Sequence, residues 1–320
     1  MKTRREALKT AAGILSLVAM PAFAQSNAWP NRLIKVVVPL PPGGVMDSLT
    51  RLVVYHLSRR LGQTIIVENR PGGNGMIATS AVATADPDGN TLLSTMSSIV
   101  QNISLHKSPG YKMSDLLPVA PLGRLPIAFI VPTSLGVRSL REFFDKARTT
   151  ARPMTYGTYG VGSSAHIIGE VLMRNTGVKL VQVPFRGEAP ALTAILASQI
   201  DSAFVSVGGA MTQADQSVTL AIANPARMKR YQELPTFDEA GFPIRGLTGF
   251  SGFFLPAATP KPIADRWAKE LRSIIALPEV NTRLLEFGFE PMDEVADFPA
   301  FIDVEVKRWE EVIREFNISI

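Results

Sequence analysis

Two glycine-rich stretches carry the residues best suited to chemistry in this chain. The first is Pro39-Leu40-Pro41-Pro42-Gly43-Gly44-Val45-Met46-Asp47, and the second is Tyr156-Gly157-Thr158-Tyr159-Gly160-Val161-Gly162-Ser163-Ser164-Ala165-His166. Each stands between an apolar strand pattern and a helical one. The first four N–H groups of a helix have no partner within it, and the helix start carries a partial positive charge. Glycine lets a backbone come close to a ligand. Each stretch can therefore seat an anion, a carboxylate above all, without a basic side chain. Prolines stiffen the first stretch and lower the entropy lost on binding. The competing reading is a tight strand-to-helix turn with a capped helix, since Asp47, Ser163 and Ser164 are all good capping types. Asp47 would repel a carboxylate, although it would suit the ammonium group of an amino acid. His166 lies one turn into its helix, where a histidine is ordinarily packed or solvent-facing.

Catalytic patterns are missing from the same stretches. Gly160-Val161-Gly162-Ser163-Ser164 is neither G-x-G-x-x-G nor a Walker loop, and Gly162-Ser163-Ser164-Ala165 lacks the second glycine of a nucleophile elbow. Ser164 and His166 are two apart, a spacing that does not bring helix side chains face to face. Glu310 and Glu311 fall on the polar side of the last helical pattern, and Asp86 and Asp88 belong to a turn, so no acid–base pair stands out. The three histidines, at 56, 106 and 166, are too far apart for a short metal motif, and there is no cysteine. No metal and no cofactor is expected.

The chain has 320 residues, 46% hydrophobic and 19% charged, with a formal net charge of +5. That composition excludes a disordered tail, a collagen-like repeat and a disulfide-stapled miniprotein. Much of the positive charge sits in residues 1–24, which read as an export signal. Lys2, Arg4, Arg5 and Lys9 precede an apolar run from Ala11 to Met20, and Ala22-Phe23-Ala24 forms an A-x-A cleavage site before Gln25. Thr3-Arg4-Arg5-Glu6-Ala7-Leu8-Lys9 also resembles a twin-arginine signal, with Ala7 where a bulky residue is usual, so both export routes stay open. The alternative is a basic N-terminal helix that is retained. Removing the segment takes away four basic residues and one acid and leaves 29 Lys+Arg against 27 Asp+Glu, a net +2. Nucleic acid is therefore not an expected partner. No later segment is apolar for long enough to span a bilayer, and a soluble, exported, periplasmic protein is expected.

Strand and helix patterns alternate along the remainder. Strands are expected at 34–38, 64–68 and 91–95, with a helix between the first two in which Leu49, Val53, Leu57 and Leu61 recur every four residues until Gly62. A glycine-rich turn at 71–75 leads to an Ala-rich helix through Ala85. A second series has strands at 127–131, 154–157, 180–183 and 201–206, with helices from Leu140 and Ser164. A glycine-spaced apolar stretch at 248–255 and two long helices close the chain. In the last helix Phe298, Ile302, Val306, Trp309, Ile313 and Phe316 share one face, with Glu and Lys/Arg opposite. The alternation predicts parallel α/β sheets in two domains, with the chain crossing between them near 125–131 and 247–254. Residues 25–126 and 250–320 would form domain 1 and residues 127–249 domain 2.

Several motifs then occur in one order: Trp29-Pro30-Asn31-Arg32, the first glycine loop, Leu61-Gly62-Gln63, Val67-Glu68-Asn69-Arg70-Pro71-Gly72 and Ala85-Asp86-Pro87-Asp88-Gly89. The second glycine loop, Val183-Pro184-Phe185-Arg186-Gly187 and Leu234-Pro235-Thr236 follow. From about Trp29 onward the chain resembles the Bug family of periplasmic solute receptors, related to tripartite tricarboxylate transporters. The resemblance implies a type II periplasmic binding protein fold: two α/β domains, joined by two crossover strands, with the ligand cleft between them. It implies a non-enzymatic receptor for a small carboxylate, held by backbone amides and hydroxyls and often through water. Neither loop contains Lys or Arg, in keeping with that implication.

Carried over by motif, Leu40, Pro42, Gly43, Gly44, Val45 and Asp47 would line one wall and Gly160, Gly162, Ser163, Ser164 and His166 the other. Ser97 and Ser98 would add contacts; Phe185, Phe204 and Ser206 are equally well explained by burial. The implied partners are the membrane subunits of a tripartite tricarboxylate transporter or, failing that, a sensor kinase, with the receptor a monomer. An exported hydrolase using Ser163 or Ser164 is the competing class. Departures from the family pattern include Pro71-Gly72-Gly73-Asn74-Gly75 for Pro-Gly-Ala-Gly-Gly, Asn102-Ile103 for Asn-Pro, and Phe185 for a tyrosine. Leu40 and Met46 point either to a partly apolar or aromatic acid or simply to packing against the domain.

Overall fold

The computed structural model describes residues 29–320; the expected export signal at 1–24 and the expected cleavage after Ala24 lie outside the described residues. The strands are β1 (Ile34–Val38), β2 (Ile65–Asn69), β3 (Thr91–Met96), β4 (Leu116–Leu125), β5 (Ile127–Pro132), β6 (Thr155–Thr158), β7 (Val181–Pro184), β8 (Ser202–Ser206), β9 (Ser217–Ala223) and β10 (Gly249–Pro256). The helices are α1 (Val45–Leu61), α2 (Met76–Ala83), α3 (Ser98–Leu105), α4 (Leu140–Thr149), α5 (Ser164–Thr176), α6 (Glu188–Leu196), α7 (Val207–Met211), α8 (Lys261–Ile275), α9 (Pro278–Glu286) and α10 (Phe298–Glu315).

Two five-stranded sheets result, in the orders β2-β1-β3-β10-β4 and β7-β6-β8-β5-β9. Each sheet with its helices is a lobe. The chain leaves the first sheet at Pro126, between β4 and β5, and returns to it at Gly249 after residues 224–248. Both sheets are mixed rather than parallel as the alternation predicted. β1 runs parallel to β2 and β3, and β6 parallel to β7 and β8, but β10 is antiparallel to β3 and β4, and β5 to β8 and β9. The antiparallel strands are those flanking the crossings, where the chain changes sheet without a crossover helix to reset its direction.

Sequence accounts for the elements locally. β1 is β-branched, buried at four of its five positions, and followed by Pro39. α1 buries Leu49, Val53 and Leu57 and stops at Gly62, whose φ of 64° is the left-handed conformation that ends helices. Its buried face packs with Val36, Trp267 and Leu271 in a core beneath the first sheet. Trp267 is fully buried, and its indole N–H donates to the Gly89 carbonyl at 3.0 Å. A second apolar cluster runs from Leu93, Phe250 and Trp309 of the first lobe into Phe129, Phe204 and Ile167 of the second, so apolar packing continues across the crossings. One acid breaks the expected two-faced pattern of α10. Glu305 is buried, accepting from the Trp309 indole at 3.2 Å and paired with Arg308.

Because β1–β3 are mutually aligned, the turns after them lie on one edge of the first sheet. Those after β6–β8 lie likewise on one edge of the second. Ligand sites in open α/β sheets form outside such carboxyl ends.

Candidate functional site

In the first lobe, β1 delivers the chain into Pro39 and the exposed tip Pro41–Gly44. Gly43 has φ +86°, a left-handed conformation, and its N–H donates to Asp47 Oδ2 at 2.9 Å. Gly44 is the N-cap of α1, with extended φ −75° and ψ 170° and no side chain to cap with. The leading amides of α1 therefore meet no capping side chain. Asp47 is buried, and its carboxylate also accepts from Arg51 Nε and Asn69 Nδ2, both at 2.9 Å. Burial works to raise the Asp47 pKa, but the bonds from Arg51, Gly43 and Asn69 outweigh it and hold the carboxyl below its ordinary value. Asp47 thus stays ionised and holds the loop from behind.

The other turns of that edge converge on this loop. Asn69 Nδ2 donates to the Leu40 carbonyl at 2.9 Å. A β-carbon on Gly75 would lie 3.4 Å from both Pro39 Cβ and Ser98 Oγ, which places the turns after β1, β2 and β3 side by side.

In the second lobe Ser163 is the N-cap of α5; its hydroxyl donates to the Gly160 carbonyl at 2.6 Å and accepts from the His166 N–H at 3.4 Å. The Gly162 N–H donates to His166 Nδ1 at 3.2 Å. Gly160 has φ +138° and nothing within 4 Å of where a β-carbon would stand. Tyr159 closes over the start of α5. Burial pushes its hydroxyl well above the ordinary tyrosine range, opposed by hydrogen bonds from Ser164 and the Ala165 amide.

The two edges face one another and touch. Ser164 Oγ accepts from Gln101 Nε2 at 2.6 Å and lies 3.1 Å from Ser97 Oγ, with all three residues buried. Asn74 Nδ2 donates across to the Gly162 carbonyl at 3.1 Å. Nearer the crossings, Gly208 of α7 packs backbone to backbone against Phe287 and Gly288 of the first lobe. Among the described residues, no group of three or more His, Asp or Glu is placed to hold a metal ion. No helix of the described residues is long and apolar enough to cross a membrane.

The model for the tripartite tricarboxylate transporter family receptor matches residues 49–318. The chain belongs to this receptor family. A Pseudomonas sp. (strain P51) protein from the intergenic region between tcbD and tcbE is 30% identical over 302 residues, covering 92% of this chain and 89% of its own. MatC of Rhodopseudomonas palustris, solved with bound malate, superposes with a TM-score of 0.79 at 28% identity, covering 89% of this chain and 100% of its own. A further R. palustris protein, solved with adipate, gives a TM-score of 0.81 at 29% identity over 91% of this chain and 99% of its own.

Within this tripartite tricarboxylate receptor chain the residues singled out from sequence divide into three groups. Pro42, Gly43, Gly44 and Gly160 are at the free loop tips. Ser97 and Ser164 meet at the seam, with Ser98 beside Pro39. Gly162, Ser163 and His166 bond within their own loop, and Asp47 bonds to Gly43, Arg51 and Asn69, so these four hold the loops' shape. Met46 is fully buried in the core, and Leu40 and Val45 pack against the same cluster, so of the two readings of these apolar side chains the structure favours packing. Phe204 is core, against Phe129 and Phe237. Ser206 caps α7 and pairs with Glu188, accepting from the Gly209 N–H at 3.0 Å. Asn74, Gln101, Asn102 and Tyr159 were not singled out as site residues. Asn74 did stand at a departure from the expected motif, Asn102 precedes another at Ile103, and Tyr159 lies within the second loop.

His166 gives this receptor loop a pH dependence. Burial disfavours the imidazolium and holds the His166 pKa below its ordinary 6.5, while Glu170, 3.8 Å from Nε2, pulls the other way. The neutral ring is also the form whose Nδ1 can accept from Gly162. A depressed histidine pKa means that the unfolded chain takes up the proton first. The contribution to stability is complete above pH 6.5 and is lost as pH falls below it. Imidazole NMR titration of His166 is expected to give a midpoint below that of a free histidine; a midpoint at or above it would contradict the assignment.

Proposed function

We propose that this chain is a periplasmic receptor, not an enzyme, that captures a small carboxylate between two domains and delivers it to the membrane subunits of a tripartite tricarboxylate transporter. The domains are residues 25–126 with 250–320, and 127–249. Residues 1–24 direct export and are removed after Ala24. The observation that carries the reading is the pair of opposed loops at the carboxyl ends of the parallel strands. On one side stands the glycine N-cap of α1, with no side chain over the leading amides. On the other stands the open Gly160 tip at the start of α5. Helix starts of this kind bind carboxylates through main-chain N–H groups, directly or through water.

The malate-bound and adipate-bound neighbours support a dicarboxylate as the ligand. Pro42, Gly43 and Gly44, with the main chain of Leu40 and Val45, form the first wall, with Ser98 beside it; Gly160 and Ser164 form the second. The hydrolase reading finds no support, since Ser163 serves as a helix cap and Ser164 is engaged by Gln101, while the His166 ring is turned to Gly162. The test is calorimetry or thermal shift against a panel of mono- and dicarboxylates including malate and adipate. An acid at one hundred times its Kd is expected to stabilise the fold by about 2.7 kcal/mol. A panel in which no acid stabilises the protein, or in which an ester is turned over, would contradict the reading.

A further inference from the structure

We propose that Asn74, aligned by Asn102, is a positioning residue that ties the second glycine loop to the first lobe and sets how often the two lobes stand together. Asn74 occupies a left-handed conformation, φ +49°, between Gly73 at +55° and Gly75 at +91°. Asparagine is among the few non-glycine residues that tolerate this region, so the turn retains its shape while gaining a side chain.

Both hydrogens of its amide are used. An amide NH2 has two hydrogens. Asn74 Nδ2 donates to Asn102 Oδ1 at 3.1 Å and to the Gly162 carbonyl of the opposite lobe at 3.1 Å. Asn102 Nδ2 in turn donates to the Asn74 carbonyl at 3.0 Å. The reciprocal pair fixes which way the Asn74 amide points, and Asn102 is fully buried, so it has no alternative orientation in water. Gly162 is thereby held at both its polar groups, its N–H by His166 and its carbonyl by Asn74.

Residue 162 has φ +74°, a left-handed conformation that favours glycine, and the space around it is close-packed. A β-carbon there would stand 3.3 Å from Leu105 Cδ1, 3.4 Å from Ile320 Cδ1 and 3.6 Å from Asn74 Nδ2. The Ser97–Ser164–Gln101 contact lies on the same seam and belongs to the loops already described. Other bonds cross between the lobes away from the glycine loops: Asn224 Nδ2 donates to Glu290 at 2.9 Å, and Arg245–Glu315 joins exposed side chains that water and salt weaken. Asn74 is thus the side chain of the first lobe that holds the Gly162 carbonyl of the second glycine loop. Its role concerns how the lobes stand whether or not an acid binds.

The test uses the full chain without any added acid. Because the protein has no cysteine, labels introduced by Arg141→Cys on α4 and Lys269→Cys on α8, both exposed, report the distance between lobes by electron–electron resonance. Asn74→Gly removes the amide but suits the left-handed turn. Asn74→Asp keeps the shape and sets an acceptor against the Gly162 carbonyl. The expected result is a shift from the short to the long distance in the order wild type, Gly, Asp, with about 2- to 10-fold for the glycine variant, the worth of one hydrogen bond. Asn102→Ala should shift the same way, and all three should melt as sharply as wild type. A distance distribution unchanged in both Asn74 variants would overturn the proposal. So would a shift in Asn74→Asp no larger than in Asn74→Gly.

Discussion

Gly44→Val is expected to weaken carboxylate binding by about 100-fold or more while the protein stays folded. A hydrogen bond to a charged group is worth about 1.5–3 kcal/mol, and a valine side chain over the start of α1 denies the acid at least two such amides. The backbone does not object. Gly44 is extended at φ −75° and ψ 170°, and the nearest atom to a β-carbon there is the Pro41 carbonyl at 3.9 Å. The folded state loses only the N-cap preference for glycine over valine, about 1 kcal/mol, or roughly 2–4 °C in melting temperature. Titration calorimetry of Gly44→Val against an acid that binds wild type measures the first effect, and a thermal melt the second. Wild-type affinity in this variant would refute the assignment of the first loop. Gly43 would be the wrong choice for such a test, because its φ of +86° strains any side chain.

Gly208→Ala is expected to cost about 1–3 kcal/mol or more and to move the lobes apart near the crossings. A β-carbon at Gly208 would stand 2.5 Å from the Phe287 carbonyl carbon and 2.9 Å from the Gly288 nitrogen. Those are backbone atoms, so no rotamer change relieves the overlap. Gly288, on the other side of the contact, has φ +78° and is equally committed to glycine. This backbone pair forms where Val207 N–H donates to the Pro126 carbonyl at 3.2 Å, beside the first crossing. The overlap therefore acts on the pivot of any opening motion. Thermal unfolding with small-angle X-ray scattering checks the expectation. A wild-type melting temperature and radius of gyration would contradict it.

Much of the fold is legible in the residues. The β-branched run 34–38 ends at Pro39, and the four-residue apolar repeat of α1 ends at Gly62, because propensity and packing point the same way there. β4 was not expected. Its sequence, Leu116-Leu117-Pro118-Val119-Ala120-Pro121-Leu122-Gly123-Arg124-Leu125, carries two prolines that argue against a strand. Yet β4 is an edge strand, and register shifts in its pairing with β10 accompany the prolines. Strand direction was misread for a different reason: periodicity reports which face is buried, not which way the chain runs. β10 enters between β3 and β4 from more than a hundred residues away.

The candidate site was legible to the same depth. Glycine loops between strand and helix are local features, and both lie on the facing edges. What the loops' polar residues do was not readable, because it depends on partners from other elements. Asp47 turns to Asn69, Ser164 to Gln101, and Asn74 to Gly162. Capping preference gave the right role to Ser163, whose bonds are all within its own loop.

The most direct test of the account is a crystal structure of the protein with the dicarboxylate it binds most tightly. The account predicts one carboxylate of the ligand within about 3 Å of main-chain nitrogens at Gly44 and Val45, or one ordered water away, with the opposite loop at Gly160 and Ser164 closing on the same molecule. An acid bound elsewhere, or gripped by the guanidinium of Arg186, which stands exposed two residues beyond β7, would contradict it.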